Sequence, residues 1–308
     1  MIAFVFPGQG SQYVGMGKEL CDEFVIAKNT FEEANDALGF DLSALCFEGE
    51  QSELSLTANA QPALLTTSIA CLRVLQSETS LNPDFVAGHS LGEYTALVAN
   101  GAFRLSDAVK VVRKRGEFMQ EAVPVGVGAM AAVLGLDKDK VKEICNQVSK
   151  NGLIASPANL NAPGQTVISG NREAIEQASI LAKAQGAKRV VPLDVSAPFH
   201  CALMQPAADR LSGVLNEVNI AQMSSPVVAN CTASLTNDSS KVKELLISQV
   251  TSPVRWYESV EVLKNQGCNH FIEIGPKNVL AGLIKRTLSD VSVSNFEKIS
   301  QLESINNG

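Results

Sequence analysis

Short apolar runs alternate with amphipathic stretches over the first hundred residues. Ile2-Ala3-Phe4-Val5-Phe6 is an unbroken apolar strand pattern. A long helical region follows through Leu38, then an apolar segment from Ala63 to Leu75. Phe85-Val86-Ala87 is another short buried strand, and Glu93 to Ala99 is the helix that leaves it. Strands of this kind alternating with helices predict a mainly parallel sheet covered by helices. Ser106 is placed to N-cap a helix running to about Val123. On that helix Ala108, Val111, Val112, Arg115 and Met119 share one face, which puts a guanidinium inside an apolar stripe. A guanidinium there either snorkels to water, pairs with a structural acid, or waits for a carboxylate that arrives as substrate.

From Gly128 the pattern changes. Strand patterns at Ala129 to Leu134, Ile154 to Ala158, Thr166 to Ser169 and Val190 to Leu193 are interleaved with helices at Asp137 to Lys150 and Arg172 to Gln185. This βαββαβ order is that of a ferredoxin-like unit, and Val125-Gly126-Val127-Gly128 suits the junction leading into it. After His200 the α/β pattern resumes, with strands at Pro226 to Asn230 and Phe271 to Ile274 and helices at Val242 to Val250 and Lys277 to Leu288. There is no internal repeat, and the tail after Gln301 is expected to fray.

Composition narrows the class. At 308 residues and 45% hydrophobic the chain can fill a large α/β core with a smaller unit embedded in it. A net charge of −7 argues against a nucleic-acid partner. No run approaches the length of a membrane span, and the chain opens on a strand pattern where a leader would carry charge, so a cytoplasmic location without membrane attachment is expected. The seven scattered cysteines include no C-x-x-C pair and imply reduced thiols and no structural zinc.

Candidate chemistry centres on Gly88-His89-Ser90-Leu91-Gly92, between the Phe85 strand and the following helix. A serine between two glycines in that context is a nucleophile elbow, a strained turn that exposes Oγ near the positive end of a new helix. A chance match is the alternative, and the strand-before, helix-after context weighs against it. Three histidines can supply the base. His89 adjoins the serine and diverges from it, which suits a packing role, and His270 lies in an alternating strand pattern. His200 follows the loop Ser196-Ala197-Pro198-Phe199 and is the candidate base, a plain surface-loop histidine being the other reading.

Taken in order, these motifs resemble the malonyl-CoA to acyl carrier protein transacylases. The resemblance runs from Pro7-Gly8-Gln9-Gly10-Ser11 through the elbow with Glu93-Tyr94, Arg115-Gly116 with Met119-Gln120, Asn159 and Asn161 ahead of Val167-Ile168-Ser169-Gly170, Pro198-Phe199-His200, and Gln249 before Pro253-Val254-Arg255-Trp256, to about Leu288. It implies an α/β-hydrolase-like core of residues 1–126 and 197–308 around a ferredoxin-like subdomain of residues 127–196. It implies ping-pong transfer of malonyl from malonyl-CoA to the pantetheine thiol of acyl carrier protein through a malonyl-serine, in support of fatty acid biosynthesis and without a cofactor or metal. Ser90 would be the nucleophile and His200 the base. The backbone N–H groups of Gln9 and Leu91 would form the oxyanion hole, a backbone carbonyl of Gln249 would orient the histidine, and Arg115 would bind the malonyl carboxylate. Phe199 matches the position where bulk favours malonyl over α-branched donors. The family's carrier protein is acidic, and Lys188, Arg189, Lys285 and Arg286 are candidate docking cations, with a monomer expected. The resemblance leaves open whether Asn159 and Asn161 touch CoA or hold a strand end.

Two other classes fit parts of the pattern. An esterase or thioesterase would need an acid between serine and histidine, and Asp194 could stand there; the βαββαβ insert and Arg115 speak against it. A silent interaction module would have no use for Ser90, His200 and Arg115 together.

Overall fold

The apolar pentad at the start of the chain becomes the middle of the main sheet. A computed structural model describes residues 1–195 and 197–306. Its strands in chain order are β1 (Ile2–Phe6), β2 (Phe85–Gly88), β3 (Gly128–Leu134), β4 (Ala155–Ala162), β5 (Gln165–Asn171), β6 (Arg189–Pro192), β7 (Val227–Ala229), β8 (Ser234–Thr236), β9 (His270–Ile274) and β10 (Ser292–Phe296). The main sheet has the order β10-β9-β1-β2-β7-β8, parallel throughout except for the β7–β8 pair. Side chains of a strand alternate between its faces. Phe4, Phe6, Val86 and Ile272 therefore join one core with the apolar helix Thr57–Glu78, while Ala3, Val5, Phe85 and Phe271 join another with Trp256, Val260, Leu280 and Leu283. Both faces of the central strands are dry, which is why they show no polar alternation.

The second sheet, β4-β5-β3-β6, is antiparallel in every pairing. Ala131, Val133 and Ile168 meet Val141, Ile144, Ile175 and Ala178 of the helices Lys138–Val148 and Arg172–Ala184. The opposite face sends Met130, Ala158 and Val167 into the first core of the main body. Strand β4 is also tied to the main body through backbone: Leu160 N–H donates to the Val254 carbonyl at 2.8 Å, and Val254 N–H to that of Ala158 at 2.8 Å. A cavity is lined both by Met130 and Asn159 of the small sheet and by Gln9 and Ser90, which follow β1 and β2 of the main sheet.

Several expectations need correction. Ser106 does not cap its helix, which spans Leu105–Glu121 with extended Arg104 at the N-cap and no side-chain cap; the Arg104 carbonyl already accepts from Asp107 and Ala108, so Ser106 lies within the first turn. The tail does not fray at Gln301: Leu302–Asn306 is a short helix, anchored by Ile305, which is buried in the first core. The boundary placed at Ser196 lies outside the described residues, as do the last two positions. Strands β8 and β10 and the helices Gln205–Asn216 and Trp256–Asn265 were not anticipated. The two strands sit at opposite ends of the sheet order, are rich in polar residues, and give a weaker signal than the buried strands.

Candidate active site

The elbow forms because no side chain fits beside it. A Cβ on Gly88 would overlap the backbone of Gly92, and a Cβ on Gly92 would overlap the Phe6 carbonyl. Ser90 between them has φ 54° and ψ −104°, in a region that costs a non-glycine residue roughly 1–3 kcal/mol. Asn230, at the end of β7, holds this turn from the side: its Oδ1 accepts from Ser90 N–H at 2.7 Å and its Nδ2 donates to the Gly88 carbonyl at 2.7 Å. Asn230 escaped the sequence reading because its partners lie some 140 positions away in the chain.

His200 meets the serine from the loop after Pro198. Ser90 O–H donates to His200 Nε2 at 2.8 Å, and His200 Nδ1–H donates to the Gln249 carbonyl at 2.9 Å. The second bond leaves Nε2 as the free lone pair, the tautomer a base requires. His200 also has positive φ, 59°, and is buried. Burial, aided by the Arg115 charge and opposed by the bond to Gln249, holds its pKa down to about 3, so the ring is neutral at physiological pH. Among the described residues no carboxylate meets its Nδ1. Asp194 lines the cavity but is exposed, and the Ser-Asp-His order of an esterase is not assembled.

Arg115 is 2% exposed, at the apolar stripe where the spacing placed it. Its Nη2 donates to Ser90 Oγ at 3.0 Å and to Gln249 Oε1 at 2.9 Å, and its Nη1 to Gln61 Oε1 at 2.8 Å. All three hydrogen-bond partners are neutral and the group is buried, so it does not snorkel; the buried acid Glu93 acts on it electrostatically, joined to it through the Gln249 side chain. The roles of Gln61 and Glu93 were missed; each is a buried polar residue in a largely apolar helix, the same kind of signal that exposed Arg115.

A cavity of about 430 Å³ opens onto this group, lined among others by Gln9, Ser90, Arg115, Phe199, His200 and Asn159. Gln9 belongs to the Pro7 loop, which crosses so near the elbow that a Cβ on Gly8 would stand 2.5 Å from the His89 carbonyl. Among the described residues the N–H groups of Gln9 and Leu91 meet no protein acceptor. His89 points away, its Nε2 bonded to Asn161 Oδ1 at 2.8 Å and its ring 5.9 Å from that of Trp256. Asn161 thus braces the turn, while Asn159 faces the cavity. His270 is a satisfied strand residue bonded to Ser294 Oγ at 3.2 Å. Lys188, Arg189, Lys285 and Arg286 are exposed and do not line the cavity. They gather at one end of the small sheet, where Gln165, Leu134 and Arg189 are register neighbours and Arg286 donates to Gln165 at 2.7 Å. No group of His, Cys, Asp or Glu suited to a metal occurs among the described residues, and their cysteines are free. Among the described residues no helix is long and apolar enough to cross a membrane.

Residues 3–304 match the model of the acyl transferase domain family. The chain is 54% identical over 301 residues to the malonyl CoA-acyl carrier protein transacylase of Bacillus subtilis, covering 97% of this chain and 95% of that one. The chain belongs to the malonyl CoA-acyl carrier protein transacylases. Among solved structures of the family, that of the Coxiella burnetii transacylase superposes with a TM-score of 0.97 at 44% identity, covering 99% of this chain and 96% of that one. A malonyl-transacylase in complex with a type II PKS acyl-carrier protein superposes at 0.96 with 44% identity and 99% coverage of both chains. In this chain Ser90 Oγ stands within hydrogen-bond distance of both His200 and Arg115.

Proposed function

We propose that this enzyme carries the malonyl group of malonyl-CoA to the pantetheine thiol of an acyl carrier protein, through a malonyl ester on Ser90, in support of fatty acid biosynthesis. The observation that carries the reading is the buried Arg115 guanidinium, 3.0 Å from the nucleophile and directly bonded only to neutral groups, which suits a donor whose acyl group ends in a carboxylate. Ser90 Oγ attacks the thioester carbonyl while His200 Nε2 takes its proton; the tetrahedral oxyanion lies against the N–H groups of Gln9 and Leu91, each worth about 3 kcal/mol of barrier. Collapse expels CoA thiolate, which collects the proton from His200. The carrier thiol then enters, gives its proton to the same ring and attacks the ester carbonyl; collapse of the second tetrahedral species expels Ser90 Oγ, which takes the proton back from His200, and the carrier leaves with the acyl group. The Gln249 carbonyl keeps His200 in the active tautomer. It makes a milder base than a carboxylate-backed imidazole, sufficient for a thioester and less able to activate water. Phe199 fills the space an α-methyl would need.

We read the main body, residues 1–126 and 197–308, as an α/β-hydrolase-like core and the β3 to β6 unit as its ferredoxin-like insert. The enzyme needs no cofactor and works in the cytoplasm as a monomer. Incubation with malonyl-CoA tests the function: sustained CoA release is expected to require added holo carrier protein, and equal release with water alone would make the protein a thioesterase.

His200 acts in its neutral form, so acylation is lost as pH falls through its pKa. With that pKa near 3, kcat/KM for malonyl-CoA is expected to show no histidine limb between about pH 5 and about pH 8. A bound malonyl carboxylate offsets the Arg115 charge, so the limb in kcat should lie at higher pH than that in kcat/KM. Initial-rate pH profiles check both, and a kcat/KM limb at the ordinary histidine value of about 6.5 would contradict the buried, neutral base.

Docking of the acidic carrier is assigned to Lys188, Arg189, Lys285 and Arg286. Their reversal to Glu is expected to raise KM for carrier protein and leave acylation by malonyl-CoA unchanged. Equal losses in the two half-reactions, measured separately, would remove the assignment.

A further inference from the structure

The transfer chemistry leaves unused a buried ionisable group close to the nucleophile. Glu93 lies in the first turn of the Leu91–Ala99 helix, three residues after the nucleophile, and is 2% exposed. Its Oε2 accepts from Gln249 Nε2 at 2.7 Å and from the backbone N–H of Asn230 at 3.0 Å. Gln249 Nε2 also donates to the Ser90 carbonyl at 3.0 Å, which engages both hydrogens of the amide. Its Oε1 is thereby turned to Arg115 Nη2 at 2.9 Å.

We propose that Glu93 is a positioning residue: an oxygen at its tip locks the Gln249 amide, and the locked amide holds the Arg115 guanidinium in line with the donor's carboxylate. The proposal rests on the malonyl-clamp reading of Arg115. If the amide flipped, its NH₂ would face the guanidinium, donor against donor. Its oxygen would face the Glu93 carboxylate and the Ser90 carbonyl, acceptor against acceptor. All three bonds would turn repulsive together, so the amide has one usable orientation while the Glu93 acceptor is present. The backbone N–H of Asn230 cannot turn round, and it fixes an acceptor at this point. Reach and an oxygen are therefore what the position demands, more than charge. A glutamine can place Oε1 where the carboxylate oxygen stands. An aspartate keeps the charge but withdraws the acceptor by about 1.5 Å, the length of one C–C bond.

Three substitutions separate these demands, with acylation of Ser90 by malonyl-CoA and by acetyl-CoA measured per titratable serine. A general loosening of the elbow slows both donors alike, whereas a displaced Arg115 slows malonyl and lowers the malonyl-to-acetyl ratio. Glu93→Gln is expected to keep that ratio within about threefold of wild type, while Glu93→Asp and Glu93→Ala lower it about tenfold or more, since displacement by an ångström can cost up to about a hundredfold. Glu93→Asp carries the test if the alanine variant does not fold. Retention of the ratio in Glu93→Asp with its loss in Glu93→Gln would show that charge and not reach matters, and would overturn the proposal. An unchanged ratio in both Asp and Ala variants would overturn it too, while Arg115→Ala, run alongside, still lowers the ratio if the clamp itself is sound. If Arg115→Ala also leaves the ratio unchanged, the underlying clamp reading fails and this proposal falls with it.

Discussion

Ser90→Ala is expected to form no acyl-enzyme at all, and His200→Ala to form it about a thousandfold more slowly with the fold intact. The first follows because the elbow offers one nucleophile, and its neighbours Leu91 and His89 turn into the core and toward Asn161. The second is the ordinary worth of a positioned general base, about a hundredfold to ten-thousandfold. Without the ring, Ser90 keeps the Arg115 contact and the N–H groups of Gln9 and Leu91 proposed as oxyanion donors, so a residual rate is expected and its absence is not. Burst kinetics of CoA release, with circular dichroism as the check on folding, measure both. A His200→Ala enzyme that acylates at a near-normal rate would place the base elsewhere.

Replacing Arg115 by alanine is expected to do more to malonyl than to any other donor. On the proposed clamp reading the incoming carboxylate would supply a charge-assisted bond worth about 1.5 to 3 kcal/mol, so malonyl should exceed acetyl by at least about tenfold. Removal of the guanidinium leaves malonyl's carboxylate to be buried without a partner, a penalty acetyl does not incur. The preference should therefore collapse or invert. Phe199→Ser, by contrast, is expected to relax exclusion of methylmalonyl and leave the malonyl-over-acetyl preference in place. Competition among the three CoA esters checks both substitutions. Equal loss of malonyl and acetyl transfer in Arg115→Ala would make the guanidinium structural.

What the chain discloses before folding follows from how local each signal is. Ser90 was legible because a nucleophile elbow is written in five consecutive residues, and the overlap a Cβ would meet at Gly88 and Gly92 is the reason those glycines are there. Arg115 was legible because a single cation breaks an apolar stripe of period 3.6. His200 could be narrowed to but not fixed, since its approach to Ser90 spans 110 positions. Gln9, Leu91 and Gln249 came from the family resemblance alone; no periodicity marks a residue that would act through its backbone. The roles of Asn230, Gln61 and Glu93 stayed hidden for a related reason. Their importance lies in partners brought together by the parallel sheet, and a polar residue in a buried helix announces a need without naming what meets it. The missed strands β8 and β10 and the misplaced cap at Ser106 are errors of ordinary kind, where short or polar segments are settled by tertiary contacts.

The central claim is a malonyl group held on Ser90 until a carrier thiol takes it. Intact-mass analysis of the enzyme after brief mixing with malonyl-CoA, before and after addition of holo carrier protein, tests it most directly. The expected result is a gain of one malonyl group that maps to the Ser90 peptide, persists with apo carrier protein, and passes quantitatively to the holo form. An enzyme that gains no mass, or one that loses the adduct at the same rate with and without the carrier thiol, would contradict the account.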